Sequence, residues 1–222
     1  MRHIDRLSIP GILAEKKEEW QAKFEAKRVA NSSARPESSK YGNPKIRERL
    51  EACSCGKCFY CESRLSDTQQ EIDHFVEVSV APELAYEWAN LYLSCSYCND
   101  KLSHNEIPVE EALDPCRDSD AVIQENITFE DECICSQPGS RIGVNTIRKF
   151  RLNSNLLDLK RSKWLQKIMK EALAIRKCMI EEGRKEATKE EKYSLLRYMQ
   201  PDQPYSLMSE VFLKKNFGHL FV

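Results

Sequence analysis

The two Cys-x-x-Cys pairs, Cys58/Cys61 and Cys95/Cys98, constrain this chain more than any other feature. That spacing lets a tight turn offer two thiolates to one tetrahedral zinc ion, and two such turns fasten everything between them to a single point. The chain carries ten cysteines in 222 residues, without a signal-like leader or a long apolar run. This usage predicts a reducing, cytoplasmic setting with no membrane contact, where thiols serve metal rather than disulfides. Structural zinc is the reading; packing cysteines and disulfide partners are the competing ones. The register stays open, because Cys55-Gly56-Lys57-Cys58 is also a Cys-x-x-Cys turn. Cys53 and Cys55 are spare thiols that could tune or replace a ligand. Cys116, Cys133, Cys135 and Cys178 lack a second pair at zinc spacing and read as small buried hydrophobes.

The segment between the pairs carries chemistry. Glu71-Ile72-Asp73-His74-Phe75-Val76 suits a strand and delivers a carboxylate and an imidazole at consecutive positions. Asp73 offers a hard cation an oxygen ligand, and neutral His74 can take a proton from water near neutral pH. Neighbours on a regular strand face opposite sides, so the two serve one site only if the strand ends or distorts there. In Trp88-Ala89-Asn90-Leu91-Tyr92-Leu93 the apolar residues anchor the loop and the Asn90 amide holds backbone groups. Asn99, directly after Cys98, is expected to open a helix and turn its carbonyl oxygen to the cation. Lys101 reads as a phosphate contact or as a solvated lysine.

The runs C-F-Y-C-E, D-H-F, W-A-N-L and C-S-Y-C-N-D-K resemble HNH endonucleases, whose ββα-metal fold grips one divalent ion. The resemblance implies His74 as general base, Asp73 and Asn99 as metal ligands, Asn90 as loop organiser, and Cys58, Cys61, Cys95 and Cys98 as zinc ligands. Asn99 stands where many members have His, which shifts the expected cation toward Mg2+ or Mn2+. Lys101 lies one position closer than the commonest spacing. Met1 to Ile4, Tyr41 to Leu50, and Asn145 to Asn153 with Leu156 and Arg161 look like the HNH subunit of Septu anti-phage systems, PtuB, including retron-associated versions. That branch implies a PtuA-like ABC/AAA-type ATPase as partner, a nucleic-acid substrate and, in retron settings, a reverse transcriptase with its DNA product. The expected function is a metal-dependent endonuclease in ATPase-coupled defence, on DNA ahead of structured RNA. The alternative is a non-catalytic zinc-ribbon adaptor that binds nucleic acid or the ATPase.

Formal net charge is only −1, but charge is segregated. Acids dominate from Asp100 to Glu132, and bases from Arg148 to Lys185. In the basic stretch Leu156, Leu159, Trp164, Leu165, Ile168, Met169, Leu173 and Ile175 are expected to pack inward on one long helix ending near Gly183, with cations outward. Further helices are expected at 12–29, 45–52, 188–199 and 206–215, with a short hairpin at 123–135 and a mobile connection at 31–39. The fold class is α+β, mostly helical: a zinc-stabilised HNH ββα-metal core flanked by helices. We divide the chain into a helical docking region and linker (1–50), the nuclease core (51–115) and a hairpin-plus-helix region (116–222).

Overall fold

In the computed structural model, which describes residues 1–65 and 70–221, helix dominates and the strands form two small antiparallel pairs. Helix α1 (Gly11–Ala30) buries Leu13 and Phe24. A single turn, α2 (Ser38–Tyr41), leads to α3 (Pro44–Ser54). Asn43 caps α3 by accepting from the Lys45 amide, and Pro44 sits where a missing N–H costs nothing. Helix α3 ends as Cys55 turns into the left-handed region at φ 53°, and it buries Ile46 and Leu50. The segment 31–39, expected as a mobile connection, is pinned: Pro36 is buried and the Glu37 amide donates to the Tyr86 hydroxyl at 3.1 Å.

At the centre of the expected core segment, 51–115, lie a hairpin and one helical turn. Strands β1 (Gln70–His74) and β2 (Leu91–Cys95) pair antiparallel with Asp73 opposite Tyr92, and α4 (Ser96–Asn99) packs on both. Every residue of β2 is buried, so this strand forms the centre of the core. Asn99 closes α4 rather than opening it.

In the remainder, α5 (Asp120–Asn126) takes the place of the first half of the expected 123–135 hairpin. Ser119 accepts from the Val122 amide, and that cap starts a helix where apolar alternation had suggested strand. Strands β3 (Ile127–Glu130) and β4 (Cys133–Ser136) follow. Then come α6 (Arg141–Lys149), α7 (Asn155–Glu181), α8 (Lys189–Arg197) and α9 (Ser206–Phe217). One hydrophobic cluster runs from Met1 through the hairpin to Leu220, so all three expected segments share it.

Helix α7 buries Leu165, Ile168 and Ile175 as expected, on a narrower face than expected. Leu157, Leu165, Ile168, Ala172, Ile175 and Met179 face inward, whereas Leu159, Met169 and Leu173 are 54%, 40% and 49% exposed. Arg161, which was expected outward, joins the inward face and is 1% exposed. Its guanidinium donates to the Leu152 carbonyl at 2.8 Å, meets Asp158 at 3.1 Å and lies 5.4 Å from the Phe129 ring centroid. An arginine bonded through Nη1 and stacked on an aromatic ring packs as core, although its Nε finds no partner among the described residues.

Glu62, the last letter of C-F-Y-C-E, ties the carboxy-terminal helix to the cysteine turn. It adopts φ 61° and accepts from the Ser206 hydroxyl at 2.6 Å and the Ser206 amide at 3.2 Å, with Lys57 at 3.7 Å. Burial pushes its carboxyl up, yet the Met1 ammonium, Lys57, Ser206 and Arg2 together hold it down at about 2. A carboxylate whose folded value lies below its unfolded one stabilises above the unfolded value and loses that contribution as pH falls through the folded one. Glu62→Gln should therefore be less stable than the parent by about 3 kcal/mol at pH 7. The difference should shrink as pH falls from the ordinary carboxylate range toward 2, read by urea unfolding at each pH.

Candidate active site and cysteine clasp

The clasp uses the later register. Cys58, Cys61, Cys95 and Cys98 are all buried, and their sulfur atoms lie within 4.8 Å of one another. The first turn is closed by the Glu62 amide on the Cys58 carbonyl at 3.0 Å, and the Cys58 amide reaches the Ser63 carbonyl at 2.9 Å. Phe59 donates its amide to the Leu93 carbonyl at 2.9 Å, locking this turn to β2. The second turn is the end of β2 with α4. Cys61 and Cys95 sulfurs stand 3.8 Å apart, the edge of a tetrahedron with metal–sulfur bonds of about 2.3 Å, which is about 3.8 Å. Four buried sulfurs with no competing charge fit zinc. Cys55 is exposed beyond α3, and Cys53 accepts from the Leu7 amide at 3.4 Å, so neither joins.

Strand β1 ends at His74, and this lets consecutive residues serve one place. Asp73, His74, Asn99 and Lys101 line a single cavity of about 420 Å³ together with Arg35, Tyr41 and Glu77. His74 donates Nε2–H to the Ala85 carbonyl at 2.9 Å, and Tyr41 packs edge-on against its ring at 4.8 Å. The bond at Nε2 sets the tautomer, leaving Nδ1 as the nitrogen with a free lone pair. Burial lowers the imidazole below its ordinary value, with Lys101 and Arg35 acting in the same direction and the Ala85 carbonyl and Asp73 opposing. The ring is thus neutral at physiological pH.

Asp73 is 6% exposed. Its Oδ2 accepts from the Tyr60 hydroxyl at 2.6 Å and from Lys101 at 2.7 Å, and Oδ1 accepts from none of the described residues. Lys101 departs from both readings of it, phosphate contact and solvated surface. It is buried, and its ammonium also donates to the His74 and Phe75 carbonyls at 2.5 and 3.0 Å. Three donors meet three acceptors. The close spacing to Asn99 allows this, because Lys101 turns back under β1 instead of reaching out.

Asn99 gives its amide N–H to Glu71, and its carbonyl oxygen meets no donor among the described residues. Asn90 is buried; its Oδ1 accepts from the Val76 amide at 2.8 Å, and its Nδ2 donates to the Val76 and Leu84 carbonyls at 3.0 and 3.2 Å. This clamps the loop that follows His74 and carries Ala85 toward the imidazole.

The sequence reading passed over four residues that shape the site: Tyr60, Glu71, Glu77 and Arg35. Glu77 pairs with Lys149 at 2.8 Å through Oε1, while its Oε2 is buried with no partner among the described residues. The cavity is therefore lined by Asp73, Asn99 and Glu77, each with an oxygen atom that lacks a donor among the described residues, a hard set suited to a divalent cation. Glu77 follows Asp73 by four residues, a spacing that would have marked it had the end of β1 been known.

Among known proteins, residues 58–105 match the family model described as HNH endonuclease. Septu protein PtuB of Bacillus thuringiensis is 34% identical over 84 residues, covering 37% of this chain and 33% of the relative. Septu protein PtuB of Bacillus mycoides strain KBAB4 is 27% identical over 155 residues, covering 55% of this chain and 52% of the relative. The chain thus spans between a third and about half of the length of these curated relatives. The family match begins at Cys58, ends just past Lys101 and contains the clasp, the β1–β2 hairpin and the Asp73–His74 pair, so residues 58–105 carry the HNH endonuclease domain that the family model describes.

Proposed function

We propose that this chain is a metal-dependent endonuclease, the nuclease component of an ATPase-coupled anti-phage defence system, acting on DNA ahead of structured RNA. The observation that carries the reading is His74: one nitrogen is held by the Ala85 carbonyl, the other is free, and the ring shares a cavity with Asp73 and Asn99. His74 Nδ1 takes the proton from the attacking water. The Ala85 carbonyl fixes the tautomer that makes this atom the base, and Asn90 holds Ala85 and the turn after β1 in place. Tyr60 and Lys101 hold Asp73 Oδ2 and aim the carboxylate. A magnesium or manganese ion held by Asp73 and Asn99, with Glu77 Oε2 in reach of the same cavity, would supply charge neutralisation at the phosphate and the leaving oxygen. The four clasp cysteines would hold zinc and orient the hairpin.

The relatives bear the name Septu, which supports a PtuA-like ATPase as partner. In retron-associated settings a reverse transcriptase and its DNA product would join. No helix among the described residues is long and apolar enough to cross a membrane, and we place the protein in the cytoplasm on its ten thiols. In functional terms 51–115 is the nuclease core, 1–50 the docking region and linker, and 116–222 the hairpin and helical region.

The test is cleavage of plasmid DNA and of structured RNA, by this chain alone and with the ATPase, in Mg2+ or Mn2+. Metal-dependent nicking of DNA is expected, lost with a chelator and restored by added Mn2+. A folded, zinc-loaded protein that cuts neither substrate in either setting would overturn the reading.

A further inference from the structure

The cavity beside His74 is rich in acidic and carbonyl oxygen, yet its substrate would be an anion. Two of its lining residues are cations, Lys101 and Arg35. Lys101 has no donor left, because its three N–H groups are spent on Asp73, the His74 carbonyl and the Phe75 carbonyl. Arg35 is the opposite case: it is exposed and makes no hydrogen bond or ion pair among the described residues. An unpaired guanidinium at the mouth of a buried His-Asp-Asn cavity is a bidentate donor without its acceptor.

The backbone that delivers Arg35 is braced on both sides. Upstream, Asn31 Oδ1 accepts from the Ser33 amide at 3.0 Å and the Asn31 carbonyl from the Ala34 amide at 2.9 Å. Downstream, Pro36 is buried and biases Arg35 to extended backbone, and Glu37 is tied to Tyr86, Lys27 and Lys40. Such anchoring fixes the origin of the side chain while leaving its head free. Tyr41, which packs on His74, lies six residues further along the same segment.

We propose that Arg35 binds the scissile phosphodiester, so that a segment outside residues 58–105 completes the nuclease site. The proposal rests on the reading of this cavity as the nuclease centre. It assigns to Arg35 the phosphate contact that Lys101 cannot make.

The experiment compares the parent with Arg35→Ala, Arg35→Lys and His74→Ala, using Mn2+ and two substrates, plasmid DNA and the small diester bis(p-nitrophenyl) phosphate, with the ATPase present. Arg35→Ala should lower kcat/KM on both substrates by about 100-fold, the scale of removing one transition-state donor. Its zinc content, thermal midpoint and Mn2+ affinity should match the parent. Arg35→Lys should recover part of the loss, since it keeps charge but not the fork. Apart from turnover, inorganic phosphate should shift the His74 imidazole resonance in the parent and not in Arg35→Ala. A folded Arg35→Ala that stays within twofold of the parent and retains the phosphate-induced shift would mark Arg35 as a solvated surface residue and sink the proposal, while leaving the site itself standing. If His74→Ala also matched the parent, the failure would belong to the nuclease reading.

Discussion

Replacing Cys98 with serine is expected to unfold the nuclease core before any chemistry can be measured. Cys98 is 0% exposed and belongs to a set of four sulfurs within 4.8 Å. A structural zinc site of this kind contributes on the order of 10 kcal/mol to folding, comparable to the whole stability of an ordinary domain, about 5–15 kcal/mol. Serine is a poor ligand for zinc and leaves three converging thiols in apolar surroundings. The damage should spread along a defined route. The Cys58–Cys61 turn carries Phe59, bonded to β2, and Tyr60, whose hydroxyl holds Asp73 at 2.6 Å. Loosening the clasp therefore frees the very carboxylate that lines the cavity beside His74. The expected result is substoichiometric zinc by elemental analysis, a large fall in the urea midpoint and no divalent-ion-dependent cleavage. Cys55→Ser, at an exposed position outside the clasp, should leave zinc content and stability within about 0.5 kcal/mol of the parent. Full zinc retention in Cys98→Ser would remove that residue from the clasp.

Much of this arrangement could be read from the sequence because it is written in local chemistry. Cys-x-x-Cys spacing and an Asp-His dipeptide each depend on neighbours a few residues away. What could not be read depends on what the chain meets in space. Lys101 looked like an exposed cation because nothing in Asn99-Asp100-Lys101 says that the strand carrying Asp73 passes overhead with three acceptors. Arg161 looked like one more base on a charged helix, but inside the fold it meets the Leu152 carbonyl and the Phe129 ring. The choice between Cys55/Cys58 and Cys58/Cys61 was open for the same reason. It is decided by the hydrogen bond from Phe59 to β2 and by the left-handed turn at Cys55, both products of tertiary packing. Arg35 was hidden in a polar connection whose composition signals mobility, while its fixing points, Tyr86 and Lys27, lie on other elements.

His74→Ala should separate catalysis from folding more cleanly than any other change in the chain. The imidazole contributes one hydrogen bond, to the Ala85 carbonyl, and one edge-on aromatic contact, to Tyr41. Losing both costs roughly 1–2 kcal/mol, too little to unfold a zinc-fastened core. Losing the base, in contrast, should slow cleavage by roughly 100- to 10,000-fold, with Mn2+ binding retained because Asp73 and Asn99 are untouched. The parent should also show a telling pH dependence. Burial, Lys101 and Arg35 hold the imidazole below its ordinary value of 6.5, and it is the neutral form that accepts a proton. Activity should therefore persist as pH drops past 6.5 and fall only when the lowered folded value is reached. Folding follows the same sign: a histidine with a depressed folded value binds fewer protons folded than unfolded, so its contribution to stability is lost as pH falls below 6.5. In His74→Ala both the acid limb of the rate profile and this part of the acid destabilisation should vanish together. A parent whose activity is already half lost well above pH 6.5, or a folded His74→Ala that cuts at the parental rate, would show that the proton goes elsewhere.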